Sequence, residues 1–133
     1  MKRFAPILVL ALVGCATSGE YLYFPELADR VLAGDEQSLR QVLALAADTS
    51  PGEQLEELAE LSSRFVRISP ADFLQAQATS STCFGVSFMG PKYVDNPSAT
   101  AQERKLRIEA LESVNDPELL PAKERCLNDL AGT

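Results

Sequence analysis

The chain has 133 residues, with 12 Lys or Arg against 19 Asp or Glu, a formal net charge of −7, and neither histidine nor tryptophan. A chain of this length suits one domain with a modest core, and its acidic balance makes nucleic acid an unsuitable partner, because phosphate binding needs a clustered positive surface. The lack of histidine removes the commonest general base and the commonest transition-metal ligand, which excludes Ser-His-Asp and Cys-His machinery.

The chain opens with MKRFAPILVLALVG, residues 1–14: Lys2 and Arg3, an apolar run from Phe4 to Val13, then Gly14. This is the layout of a cleavable secretory signal, and the run is shorter than the ~20 residues that span a bilayer. The run ends in Leu12-Val13-Gly14-Cys15, which resembles the lipobox of bacterial lipoproteins. The resemblance implies that residues 1–14 are cut away and that Cys15 becomes the acylated first residue, carrying chains of the palmitate kind. Acyl chains contribute about 0.8 kcal/mol per buried methylene, and more than one makes attachment stable. Ala16 stands where that family commonly places Asp to retain a protein in the inner membrane, so the resemblance implies the outer membrane, periplasmic side. With Lys2 and Arg3 gone the chain is more acidic still, and the acyl anchor would have to supply membrane attachment. Residues 16–20, ATSGE, read as a short tether; residues 21–133 read as a single helical domain.

Tyr21, Leu22, Tyr23 and Phe24 form an aromatic knot ahead of Pro25, suited to covering the end of a helical core or to meeting lipid near the anchor. Pro fits the first turn of a helix, so a first helix runs from Pro25 through Leu27, Val31 and Leu32 to Gly34. Asp35 caps a second, with Leu39, Val42, Leu43 and Ala46 at helical spacing. Ser50-Pro51-Gly52 breaks it, and a third runs from about Pro51 to Arg67 with Leu55, Leu58, Ala59, Ser62 and Phe65 inward. Glu53, Glu56, Glu57 and Glu60 crowd its N-terminal half, where the helix dipole favours them, and read as a solvated face rather than a metal site. Ser69-Pro70 starts a fourth, bearing Phe73 and Leu74. The stretch 34–76 weakly resembles one unit of a HEAT or armadillo-like helical repeat, which implies orthogonal or solenoid-like packing and brings no catalytic residues.

From Ala78 the pattern changes. Phe84, Val86 and Phe88 alternate between Ser/Thr clusters and the breaks Gly90-Pro91 and Asn96-Pro97, but a lone strand leaves its backbone groups unpaired, so the segment reads as a long ordered loop pinned at Cys83. Ser98 then caps a charged helix through Val114, with Leu106, Ala110, Leu111 and Val114 inward and Gln102, Arg104, Lys105, Glu109 and Glu112 outward. Asn115-Asp116-Pro117 restarts the chain into a last helix carrying Leu119, Leu120, Cys126, Leu127 and Leu130, with Pro121 in its first turn. The expected fold is a small all-α bundle of about six helices. With Cys15 assigned to lipid, Cys83 and Cys126 pair as a disulfide in an oxidising compartment, contributing up to about 4 kcal/mol in the chain-entropy model.

The sequence supplies no CxxC pair, no glycine-rich phosphate loop and no distinctive carboxylate pair, so no enzyme, cofactor or metal is expected. The best functional surface is the loop: it combines Phe88, Met89 and Tyr93, residue types that protein interfaces favour, with Lys92 and Asp95, and a disulfide would hold them still. The expectation is a periplasm-facing outer-membrane lipoprotein that binds another envelope protein, as an accessory subunit or an immunity-type inhibitor. The alternative is a carrier whose Tyr21, Phe24, Phe73, Phe84 and Phe88 line a cavity for a lipid or other apolar ligand.

Overall fold

The computed structural model describes residues 20–132. The expected signal at 1–14, the Cys15 anchor and the tether up to residue 19 lie outside the described residues. Within them the chain forms α1 (Pro25–Leu32), α2 (Glu36–Asp48), α3 (Glu53–Ile68), α4 (Pro70–Gln77), α5 (Pro97–Glu112) and α6 (Leu120–Ala131), with 3₁₀ turns at Pro91–Tyr93 and Pro117–Leu119. No described residue is in a strand. The chain is an all-α bundle, as its apolar spacing predicts.

Local chemistry places most of the boundaries. Pro25 sits in the first turn of α1 and Pro70 in that of α4. Gly34, at φ +89°, turns the chain out of α1, a conformation that carries no Cβ penalty for glycine. Asp35 then caps α2, accepting from the Ser38 amide at 3.2 Å and from the Ser38 hydroxyl. That hydroxyl bond is the main reason the Asp35 carboxyl lies below its ordinary range. Two expectations need correction. The cap of α5 is Asn96, whose side chain accepts from the Ala99 amide at 3.1 Å with Pro97 next in line, so Ser98 lies inside the helix. The helix α3 begins at Glu53, because Gly52, at φ +153°, still belongs to the turn.

The central helix is α3, which packs on α1, α2, α4 and α5, while α6 closes the bundle against α4 and α5. Its Leu58, Leu61, Phe65 and Val66 are fully buried, and the core continues through Val31, Leu39, Val42, Phe73, Leu74, Leu111 and Leu130. Small buried residues, Ala59, Ser62 and Ser63, leave room on α3 for a neighbour to approach closely. That neighbour is the loop 78–96.

This loop is held by side chains reaching it from three helices. The Phe84 carbonyl accepts from Ser62 Oγ of α3 at 2.7 Å and from Gln77 Nε2 at the end of α4 at 3.1 Å. The Val86 and Phe88 carbonyls accept from Arg107 Nη1 of α5 at 2.9 and 2.6 Å. Side chains thus take the place of the missing strand partner in satisfying the buried backbone. Cys83 is disulfide-bonded to Cys126 of α6, their Cα atoms 5.2 Å apart across 43 residues of sequence. Reducing this bridge, or replacing both cysteines by serine, is expected to cost about 2–4 kcal/mol of stability. Equilibrium urea unfolding with and without reductant measures it, and an unchanged midpoint would show that the loop does not depend on the bridge.

Candidate functional site

Two clefts lie side by side, and the loop supplies apolar side chains to both. The first, about 270 Å³, is lined by Glu60, Ser63, Arg64, Arg67 and Ile68 of α3, by Met89, Lys92 and Tyr93 of the loop, and by Glu103 and Arg107 of α5. Helical spacing explains the α3 wall, since positions 60, 64, 67 and 68 share one face. On α5, Glu103, Arg107 and Leu111 lie four residues apart on one stripe, and all three are buried.

The charged groups are organised as a chain of contacts. Arg107, whose side chain is 3% exposed, donates from Nε to Glu103 at 3.1 Å, and the other oxygen of Glu103 accepts from Arg67 at 2.6 Å. Two guanidinium groups therefore share one carboxylate. Burial pulls the Arg107 guanidinium below its ordinary range, and Glu103 offsets this in part. Further along α3, Arg64 donates to the hydroxyl of the buried Tyr21 at 2.6 Å and lies 3.6 Å from Glu20. Burial pushes the Tyr21 phenol up, partly offset by Arg64. The Lys92 ammonium lies 5.3 Å from the centre of the Tyr93 ring, within cation–π range. Burial raises the Glu60 carboxyl, with Glu20 adding to the effect and Arg64 and Lys92 opposing it. The Ser63 hydroxyl donates to the Glu60 carbonyl at 2.7 Å, an ordinary bond back to the preceding turn of the helix.

The second cleft has the opposite sign. Leu22, Tyr23, Phe88 and Pro91 form its apolar part, with Glu20, Glu53, Glu56, Glu57 and Glu60 around them. Its carboxylates are not all a solvated face, contrary to expectation. Glu57 accepts from the amides of Leu22, Tyr23 and Phe24 at 2.7, 2.9 and 2.7 Å, fastening the N-terminal segment onto α3, and Glu53 accepts from the Tyr23 hydroxyl. The aromatic knot divides accordingly: Tyr21 is in the core, Phe24 packs against it, and Leu22 is 77% exposed.

Of the loop residues predicted to meet a partner, Met89, Lys92 and Tyr93 come together in the first cleft. Phe88 faces the second. Asp95 lines neither; it is exposed at φ +62°, where the chain turns into α5. Sequence reasoning missed Glu60, Arg64, Arg67, Glu103 and Arg107. The four-residue spacing within each helix was visible; that α3 and α5 bring the two sets to one cleft was not. Of the aromatics proposed for a carrier's cavity, Tyr21 and Phe73 are fully buried in the core, Phe24 and Phe84 pack against it, and Phe88 borders the second cleft. Compared with protein-family models, curated proteins and solved structures, the chain matches none.

Proposed function

We propose that this chain is a lipid-anchored, non-catalytic protein-binding module on the periplasmic side of the outer membrane, with Cys15 as its anchor. The lipobox-like Leu12-Val13-Gly14-Cys15 supports the anchoring, and the Cys83–Cys126 pairing suits an oxidising compartment. The observation that carries the binding role is the loop itself. Hydrogen bonds and a disulfide hold 83–88 to four helices, yet Met89, Lys92 and Tyr93 face an open cleft. A surface ordered in advance avoids the entropic cost of ordering on association, and Met, Tyr and Arg around one cleft are residue types in which interface cores and hot spots are enriched. Both narrower roles, accessory subunit of an envelope machine and inhibitor of a periplasm-acting toxin, use such a surface.

In-cell photo-crosslinking from positions 89 and 93 of the full chain tests this reading. One discrete envelope protein captured from both positions is the expected result, and its identity separates the two roles. No capture from either position would overturn the assignment of this face.

A further inference from the structure

We propose that the first cleft is a receptor for a carboxylate, supplied by an acidic side chain that the partner protein presents next to an apolar one. This rests on the protein-binding reading above and adds the chemistry of the group that is bound.

The charge distribution carries the inference. The chain has 19 acidic residues against 12 basic, yet four cationic side chains, Arg64, Arg67, Lys92 and Arg107, line one small cleft with only two carboxylates, Glu60 and Glu103. In an acidic protein this gathering runs against the mean field, and its components are unevenly matched. Glu103 is shared between Arg67 and Arg107, so that cluster holds one positive charge in excess. Arg107 spends its Nε and Nη1 donors on Glu103 and the loop carbonyls. Arg67 differs: it lines the cleft with a side chain 46% exposed, and its bond to Glu103 runs through Nη1, which leaves its Nε and Nη2 donors outside that bond. Lys92 lines the same cleft, exposed beside the Tyr93 ring. A carboxylate between Arg67 and Lys92 would neutralise the excess charge and take charge-assisted hydrogen bonds, the strong class.

The remaining lining indicates what accompanies the carboxylate. Ile68, 42% exposed, and half-buried Met89 contribute apolar surface to the same cleft. This suits an acidic residue with an aliphatic neighbour on a peptide chain better than a bare inorganic anion, which would use none of that surface. The volume, about 270 Å³, lies just below the range of ordinary small-molecule sites and suits one or two side chains.

The test uses the purified full chain in detergent, with the arginine Nε–H signals followed by NMR. The probes are a blocked tetrapeptide with one glutamate beside one leucine, the same peptide with glutamine, and inorganic phosphate. The glutamate peptide is expected to shift the Arg67 and Arg107 signals saturably and to bind at least about tenfold more tightly than the glutamine peptide, as a charge-assisted hydrogen bond implies. Arg67→Gln and Lys92→Gln should each weaken it by about tenfold, while Arg40→Gln, on α2 outside the cleft, should not. Equal binding of the two peptides, no shift at Arg67 and Arg107, or tighter binding of phosphate than of the glutamate peptide would each overturn the proposal. Capture from positions 89 and 93 combined with any of these results would retire the carboxylate receptor and leave the binding face standing.

Discussion

Replacing Gly85 by alanine is expected to lower the stability of this protein by about 2–5 kcal/mol, a large part of the 5–15 kcal/mol typical of a small domain. Two costs combine. Gly85 has φ +80°, and holding an L-residue in the left-handed region costs about 1–2 kcal/mol. In addition, a Cβ at this position would lie 2.7 Å from Ser62 Cβ and 2.8 Å from the Ala59 carbonyl oxygen. Both contacts are atoms of the α3 backbone or next to it, so neither can swing aside, and overpacking of this kind costs about 1–3 kcal/mol. The loop would have to lift from α3, stretching the 2.7 Å bond from Ser62 to the Phe84 carbonyl. Gly132→Ala is the control, because its added Cβ meets only ordinary contacts at 3.5 Å or more and should change stability by less than about 0.5 kcal/mol. Urea unfolding of the two variants decides the matter: a Gly85→Ala midpoint equal to that of Gly132→Ala would mean that the loop is not pressed onto α3.

How much of this was legible in the sequence follows from what each residue's partner is. Helices α1 to α4 and α6 could be read because their buried residues are mostly apolar at helical spacing and the starts of all but α3 carry Pro or a capping side chain, all local signals. For α5 the same reasoning found part of the inward face, since Leu111 and, just past the helix, Val114 are buried, but it missed the paired charges. The buried stripe is Glu103, Arg107 and Leu111, while Leu106 and Ala110 are only half-buried. A rule that turns charges outward fails wherever a charge is paired inside, and the pairing depends on Arg67 in another helix. Glu57 misled for a related reason: its partners are the amides of residues 22–24, more than thirty positions away. The loop could be recognised as ordered because 84–88 has strand-like alternation with nowhere to pair. Its clamps could not be recognised, since Ser62, Gln77 and Arg107 look like ordinary helix residues until the fold brings them to the loop's carbonyls.

Arg107→Met is expected to cost about 3–5 kcal/mol, the range for removing one partner of a buried ion pair. The loss has two parts that a double-mutant cycle separates. One is electrostatic: Glu103, with a side chain only 10% exposed, would keep Arg67 alone as its partner. The other is the clamp: the Val86 and Phe88 carbonyls would lose the donor that now reaches them at 2.9 and 2.6 Å. Adding Glu103→Leu removes the stranded carboxylate and so should recover about 1–3 kcal/mol of the single-variant loss, a coupling of the size seen between contacting residues. It cannot restore a donor to the carbonyls. The deficit that persists in the Arg107→Met/Glu103→Leu protein is therefore the contribution of the clamp, expected at about 2–3 kcal/mol for two under-satisfied buried acceptors. Full recovery in the double variant would make the ion pair the whole role of Arg107 and leave the loop held by Ser62, Gln77 and the disulfide. Persistence of the deficit, together with weaker photo-capture from Tyr93 at temperatures where the variant is still folded, would mean that Arg107 presents the binding surface by fixing the backbone from which Met89, Lys92 and Tyr93 project.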